Sequence, residues 1–231
     1  MALDHLALRE EGYRSIGQLL TERGYTSSGT QPFIFYREVP VAGRMISVEV
    51  DLLASEHGGT TEGHRTQTVQ DVRARKALGC NLVFGHSEQV RVSASLPGGS
   101  EESVVAHVAG MVPFLTIKGL AVKERRRDKD PYDIYYCLRN LPGTVAELAE
   151  AFRPWLTIDL VQEALTNIEE HFATPDSPGP GRVADFEGLE DREDRELLQR
   201  DVSEQVMGFL SAVRALGAAE GGYGAATTAP E

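Results

Sequence analysis

The charged side chains best placed to do chemistry lie between residues 114 and 139. Lys118 stands near the apolar stripe of a predicted helix, where a lysine must extend to water or find an acidic partner. A run of arginines and three carboxylates follows: Arg125–Arg127, Asp128, Asp130 and Asp133. An ammonium group can bind a triphosphate, and the basic run can bind a polyphosphate or an RNA backbone. The stretch therefore predicts one wall of a nucleotide-binding site.

Each of these residues also has a purely structural interpretation, and both interpretations stay open at this point. Lys118 can extend to water or pair with a buried aspartate. Pro131 suits the first turn of a helix, which would make Asp130 its N-cap, and Asp133 would then favour the helix dipole. A salt bridge from Asp130 or Asp133 to Lys118 would orient the lysine. The arginine run can equally be a solvated turn.

Asp51 is the second candidate, at the end of a strand predicted over residues 45–54. Alternation places Ile46 and Val48 on one face of this strand and Glu49 and Asp51 on the other. A carboxylate at a strand end, beside the glycine-rich stretch 55–65, can bind Mg²⁺ together with substrate phosphates. It can also be an edge-strand charge that faces water, and Glu49 is the competing choice for a ligand.

The hydrophobic patterns predict an α+β fold with a small mixed β-sheet in the first half and helices alone in the second. The first half is predicted to hold helices at 10–23 and 66–78 and strands at 32–38, 45–54, 81–84, 89–96 and 103–108. The second half is predicted to hold helices at 112–126, 131–140, 143–153, 157–173 and 190–216, with a mobile Pro/Gly linker at 174–185. We expect an α+β core over 1–110, a helical part over 111–216 and a disordered tail over 217–231.

Composition excludes several classes of protein. The net charge of −12 argues against bulk coating of duplex DNA. Two cysteines 57 positions apart, Cys80 and Cys137, form neither a disulfide scaffold nor a zinc motif. No run of 18 apolar residues and no signal peptide is apparent, so we expect a cytoplasmic protein with no membrane partner.

The block KGLAVKERRRDKDPYDIYYCLR, residues 118–139, resembles the Lys…(Lys/Arg)-Asp-x-Tyr-Asp-(Ile/Leu)-Tyr block of the abortive-infection type E toxin group. That group belongs to the polymerase-beta-like nucleotidyltransferase superfamily. The segment VEVDLLA resembles the superfamily strand that carries the third metal-binding carboxylate. The resemblance covers roughly residues 13–210. It implies a nucleotidyltransferase-like core, and transfer of a nucleotidyl group from an NTP to a hydroxyl of a protein, an RNA end or a small molecule.

The resemblance also implies a role for individual residues and a partner. Asp51 would bind Mg²⁺ and help to activate the attacking hydroxyl, with Asp4 as a further metal ligand. Lys118 would contact the triphosphate, assisted by Arg125. The remaining pair, Asp130 and Asp133, would orient Lys118 or the acceptor. As the toxin-type member of a toxin–antitoxin pair, the chain would have an antitoxin partner.

The sequence departs from the family pattern near its start. The family has a Gly-Ser turn and an Asp-x-Asp strand ahead of the helix that here begins near Glu10, and this sequence offers only Asp4 there. Two expectations follow. Either the start of the chain is placed too late and omits this segment, or the protein is an inactive family member that serves as a binding or regulatory module.

Overall fold

The computed structural model describes residues 1–3, 15–55, 66–96, 99–124 and 127–221. It divides into two compact units, Met1–Gly110 and Met111–Glu231. The first unit is rich in β-strands, and the second is helical wherever it has regular structure. The predicted order, a β-rich first half followed by a helical second half, is therefore confirmed.

Nine strands and one short helix make up the described part of the first unit. They are β1 (Ala2–Leu3), α1 (Ile16–Glu22), β2 (Thr26–Ser27), β3 (Ile34–Val41), β4 (Arg44–Asp51), β5 (Leu53–Ala54), β6 (Thr66–Val69), β7 (Val72–Lys76), β8 (Ser87–Ser95) and β9 (Glu101–Ala109). They form a mixed sheet in the order β1-β5-β7-β6, an antiparallel sheet β2-β3-β4 and a β8-β9 ribbon. In the mixed sheet, β5 lies parallel to both β1 and β7.

The core of the first unit lies around the mixed sheet and α1. Its buried members are Leu3, Ile16, Phe35, Leu52, Ala54, Val69, Val72 and Ala74. The strand predicted over 45–54 is present as β4 and β5, but its apolar face is buried only near its end. Leu52 is fully buried, whereas Ile46 is 47% exposed. Packing therefore fixes the end of β4 that carries Asp51.

The helix predicted over 66–78 is wrong, because these residues form the β6–β7 hairpin. The hairpin turns at Gln70, whose φ of 53° is unusual for a residue other than glycine. Val72 and Ala74 are buried while Arg73 is exposed, which is the alternation of a strand with one buried face. The strand predicted at 81–84 is also wrong. Residues Cys80–Val83 form a 3-10 turn after Gly79, which has a φ of 76°.

The strands predicted at 89–96 and 103–108 are present as a long two-stranded ribbon. One face of this ribbon is apolar, with Val92 opposite Val104 and Val90 opposite Ala106. This face is exposed: Val92 is 48% and Val104 58% accessible. The alternation thus predicts these strands correctly, although it does not bury the apolar face within the part of the chain described.

Six α-helices make up the described part of the second unit. They are α2 (Met111–Glu124), α3 (Lys129–Arg139), α4 (Val145–Phe152), α5 (Asp159–Phe172), α6 (Pro178–Phe186) and α7 (Arg192–Gly221). The core contains Phe152, Ile168, Phe172, Val202 and Phe209, none more than 1% exposed. Helix α2 crosses α5 closely at Gly119, where an added Cβ would lie 2.6 Å from the carbonyl oxygen of Ala164. None of the helices in the described ranges is long and apolar enough to span a bilayer.

Two predictions for the second unit are wrong. The expected linker at 174–185 contains α6, because Pro178 suits a first helical turn and Val183 and Ala184 are fully buried. The expected tail begins too early, since α7 continues to Gly221 through a segment whose alanines favour the helix. Residues 222–231 of that tail lie outside the described part.

Candidate functional site

Lys118 lies on the side of α2 that faces α3, and two carboxylates hold its ammonium group. The Nζ atom is 2.7 Å from Asp130 Oδ1 and 2.6 Å from Asp133 Oδ2. The side chain of Lys118 is 18% exposed, and those of Asp130 and Asp133 are 7% and 14% exposed. The salt bridge that the sequence raised as an alternative is therefore present, with both aspartates. We call these three residues the lysine cluster.

The local sequence explains why both carboxylates reach the lysine. Helix α3 begins at Lys129, so Asp130 and Asp133 lie three positions apart on one of its faces. The prediction that Asp130 is the N-cap is wrong. Asp128 occupies the cap position without a side-chain capping bond, and the Asp130 carboxylate is buried against Lys118 instead. Pro131 fits in the first turn, where a backbone N–H has no partner within the helix.

The two aspartates differ in what else they contact. Asp133 also accepts a hydrogen bond from Lys129, with an Nζ to Oδ1 distance of 2.8 Å. Asp130 has no second cation among the residues described, and its Oδ2 atom is buried without a hydrogen-bond partner there. Lys118 is therefore the cation that compensates the charge of Asp130, whereas Asp133 is compensated by both Lys118 and Lys129.

Lys118 remains a cation over the whole physiological pH range. Burial of the ammonium group lowers its pKa, but hydrogen bonds and attraction from Asp130 and Asp133 outweigh burial, and the net effect raises the pKa of Lys118 above 10.5. The ring of Phe114, one turn earlier, has its centroid 5.7 Å from Nζ and adds a cation–π contact. An ammonium group has three N–H donors, and two of them serve the carboxylates. The third can serve a phosphate oxygen.

Asp51 belongs to the first unit, at the end of β4. Its Oδ2 atom is 2.5 Å from Nη2 of Arg75 on β7, and its Oδ1 atom is buried with no hydrogen-bond partner among the described residues. The amino group of Met1 donates to the Asp51 backbone carbonyl. Burial is the largest influence on this amino group and lowers its pKa, although Asp51 acts in the opposite direction. The competing candidate, Glu49, is exposed.

In the described ranges no three His, Cys, Asp or Glu side chains come together as metal ligands. Asp51 offers the buried Oδ1 atom, but its other oxygen is bound to Arg75. Two predicted site residues, Asp4 and Arg125, lie outside the described residues, as does Arg126.

Arg75 is the site residue that the sequence pattern failed to indicate. The sequence pattern placed it in the helix predicted over 66–78, and a helix there gives no pairing that would bring Arg75 close to Asp51. The alternation from Val72 to Arg75 was the available signal, because a strand there can pair beside the segment that follows Asp51. The position of Phe114 one turn before Lys118 was the available signal for the ring contact.

Comparisons with known proteins leave the family open. No protein-family model, no curated protein and no solved structure matches the chain. The resemblance to the toxin group therefore stays an expectation from the sequence of the block 118–139 and of the strand that ends near Asp51.

Proposed function

We propose that the chain is a nucleotidyltransferase-like protein that transfers a nucleotidyl group from an NTP to a hydroxyl acceptor on a protein, an RNA end or a small molecule. The observation that carries this proposal is the lysine cluster. It provides a cation that stays charged at physiological pH, is fixed by the buried carboxylate of Asp130 and the partly buried carboxylate of Asp133, and is still able to donate one hydrogen bond. The nucleotidyltransferase-like fold, the Mg²⁺ requirement, the cytoplasmic location and the pairing of this toxin-type protein with an antitoxin belong to the same proposal.

In this chemistry the acceptor hydroxyl attacks the α-phosphorus of the NTP. A new P–O bond forms, the bond to pyrophosphate breaks, and the hydroxyl proton is released. Lys118 would contact the triphosphate and stabilise the charge that develops on the leaving pyrophosphate. Asp130 and Asp133 would be positioning residues, because they touch the lysine and fix its direction. The resemblance assigns hydroxyl activation to Asp51.

One observation favours an alternative, a catalytically inactive protein that uses the same fold for binding or regulation. Arg75 forms an ion pair with Asp51 at 2.5 Å, and a guanidinium in this position competes with any metal ion for the carboxylate. A protein of this kind would bind nucleotide through Lys118 without transferring it. The lysine cluster supports both functions. A measurement of nucleotidyl transfer therefore distinguishes them, because only the enzyme transfers the group after binding the NTP.

Label transfer from NTPs tests the proposal directly. Each α-³²P-labelled NTP is incubated with the protein, Mg²⁺ and either RNA with a free 3′ hydroxyl or the protein alone. We expect the wild type to transfer label. Transfer should fall at least about 100-fold in Lys118→Ala and in Asp51→Ala, and EDTA should abolish it.

Lys123→Ala is the matched control, because Lys123 is an exposed lysine of the same helix. Label transfer that survives both Lys118→Ala and Asp51→Ala would refute the roles proposed for these two residues. Saturable NTP binding without transfer, lost in Lys118→Ala, would favour the alternative function.

A further inference from the structure

A groove of about 400 Å³ lies in the second unit, along α3 and the segment that follows α6. We call it the tyrosine groove, and its lining includes Tyr132, Tyr135, Tyr136, Arg139 and Glu187. Its volume suits one long side chain or a short peptide segment. Nothing in the nucleotide chemistry proposed above uses it.

The wall of the groove is aromatic and open to solvent. The Tyr132 ring stacks on Phe186 with centroids 4.2 Å apart, and the Tyr136 ring lies 5.8 Å from Tyr132. Tyr136 is 53% exposed and Phe186 43% exposed. Exposed rings of this kind offer their electron-rich faces, which attract planar or cationic groups.

Arg139, the one arginine among the described residues that line the groove, is already neutralised. Nη1 of Arg139 lies 3.3 Å from Asp201 Oδ2, and the same guanidinium donates to the Tyr135 hydroxyl. Tyr135 in turn donates to Asp201 at 2.6 Å. Arg139 therefore contributes no net positive charge that would attract an anion such as a phosphate.

The net charge beside the groove is negative. Burial, together with the negative charge of the Glu187 carboxylate, raises the pKa of Tyr132, so its hydroxyl keeps its proton. A carboxylate has about four lone-pair positions, so Glu187 can accept hydrogen bonds from a bound group. The segment 185–201 holds eight carboxylates and three arginines. Two of those arginines, Arg192 and Arg195, form ion pairs with residues of the same segment.

We propose that the tyrosine groove binds an arginine side chain of a basic peptide segment in a partner protein. The guanidinium plane would stack on the Tyr136 ring and donate to the Glu187 carboxylate, while the carboxylates of segment 185–201 would attract further positive charge. A guanidinium fits better than an ammonium, because it is planar and weakly hydrated and stacks on aromatic rings. An RNA or nucleotide ligand fits less well, since its phosphates would meet this acidic segment.

The peptide acetyl-Gly-Arg-Ser-Arg-Gly-amide is the probe, titrated into the full chain by isothermal calorimetry at low salt. We expect saturable binding that weakens about tenfold in Glu187→Gln and several-fold in Tyr136→Ala. Both residues are exposed, so the fold should be retained, and circular dichroism checks this. Tyr136→Phe keeps the ring and Glu190→Gln removes a neighbouring carboxylate that does not line the groove. Both should bind within twofold of the wild type.

Several outcomes would overturn the proposal. Equal binding of the matched lysine peptide would show attraction by charge alone. Binding that is unchanged in both Glu187→Gln and Tyr136→Ala would place the peptide elsewhere, and no saturable binding would remove the site. Tighter binding of oligouridylate that is lost in Tyr136→Ala would reassign the groove to nucleic acid.

Discussion

Replacing Lys118 by methionine should destabilise the second unit by about 2–3 kcal/mol at neutral pH. Removing one partner of a buried ion pair leaves an uncompensated charge and costs about 3–5 kcal/mol. The estimate is lower here because Asp133 keeps Lys129 as a partner and because Lys118 is 18% exposed. Asp130, at 7% exposure and with no other cation among the described residues, accounts for most of the loss.

Urea unfolding followed by the fluorescence of Trp155 measures this effect. Trp155 is the single tryptophan, is 7% exposed and lies in the second unit. A change of 2–3 kcal/mol in the free energy of unfolding should lower the melting temperature by roughly 4–12 °C for a protein of this size. Lys123→Met, on the same helix and exposed, should stay within about 0.5 kcal/mol of the wild type.

The pH dependence gives an independent check. The pKa of Lys118 in the folded protein is raised above its ordinary value of 10.5. The stability that the ion pairs provide is therefore fully present below pH 10.5 and is lost as the pH rises through the folded pKa. The difference in the free energy of unfolding between wild type and Lys118→Met should stay constant from neutral pH to about pH 10.5. It should shrink at higher pH.

A double-mutant cycle with Asp130→Asn isolates the pair. We expect a coupling energy of at least about 1 kcal/mol between Lys118 and Asp130, because the neutral amide no longer needs the lysine. A Lys118→Met variant as stable as Lys123→Met, with no coupling to Asp130, would refute the account of a cation held by the buried Asp130 carboxylate.

Three further substitutions test individual contacts within the two units. Arg75→Met should lower stability by about 1–3 kcal/mol in urea unfolding followed by circular dichroism, because it leaves the Asp51 carboxylate partly buried and unpaired; a neutral result would contradict the ion pair. Gly119→Ala should cost about 1–3 kcal/mol by Trp155 fluorescence, since its Cβ would meet the Ala164 carbonyl, and an unchanged midpoint would contradict the close helix crossing. Thr144→Ala should cost about 1 kcal/mol in the same assay through loss of the α4 capping box, whereas Thr144→Ser should retain it.

The sequence predicted five of the six helices described in the second unit, all except α6, because their signals are local. Thr144 and Glu147 form the capping box that starts α4, and three-residue spacing placed Asp130 and Asp133 on one face of α3. The direction of the Asp130 side chain was not predictable in the same way. The predicted N-cap role rests on a local sequence preference. In the structure the Asp130 carboxylate instead contacts Lys118, twelve positions earlier in the sequence.

The failures occurred where a contact distant in the sequence overrides a local pattern. In residues 66–78 the apolar positions fit a helix, but pairing with β5 and the turn at Gln70 select a hairpin. The Pro/Gly-rich sequence of α6 is typical of a linker. In the fold, however, α6 packs closely against α5, and a Cβ at Gly179 would lie 2.6 Å from the His171 carbonyl oxygen. Arg75 was missed as the partner of Asp51 for the same reason.

The central claim, that Lys118 binds a triphosphate, is tested most directly by comparing affinities for an NTP and the matching NMP. Isothermal calorimetry with Mg²⁺ should show that the wild type prefers the NTP, and that Lys118→Arg and Lys118→Met lose about 10–100-fold in NTP affinity with little change for the NMP. Lys123→Met should keep the wild-type preference. A Lys118→Met protein that still prefers the NTP as the wild type does, or a wild type that binds neither nucleotide, would contradict the account.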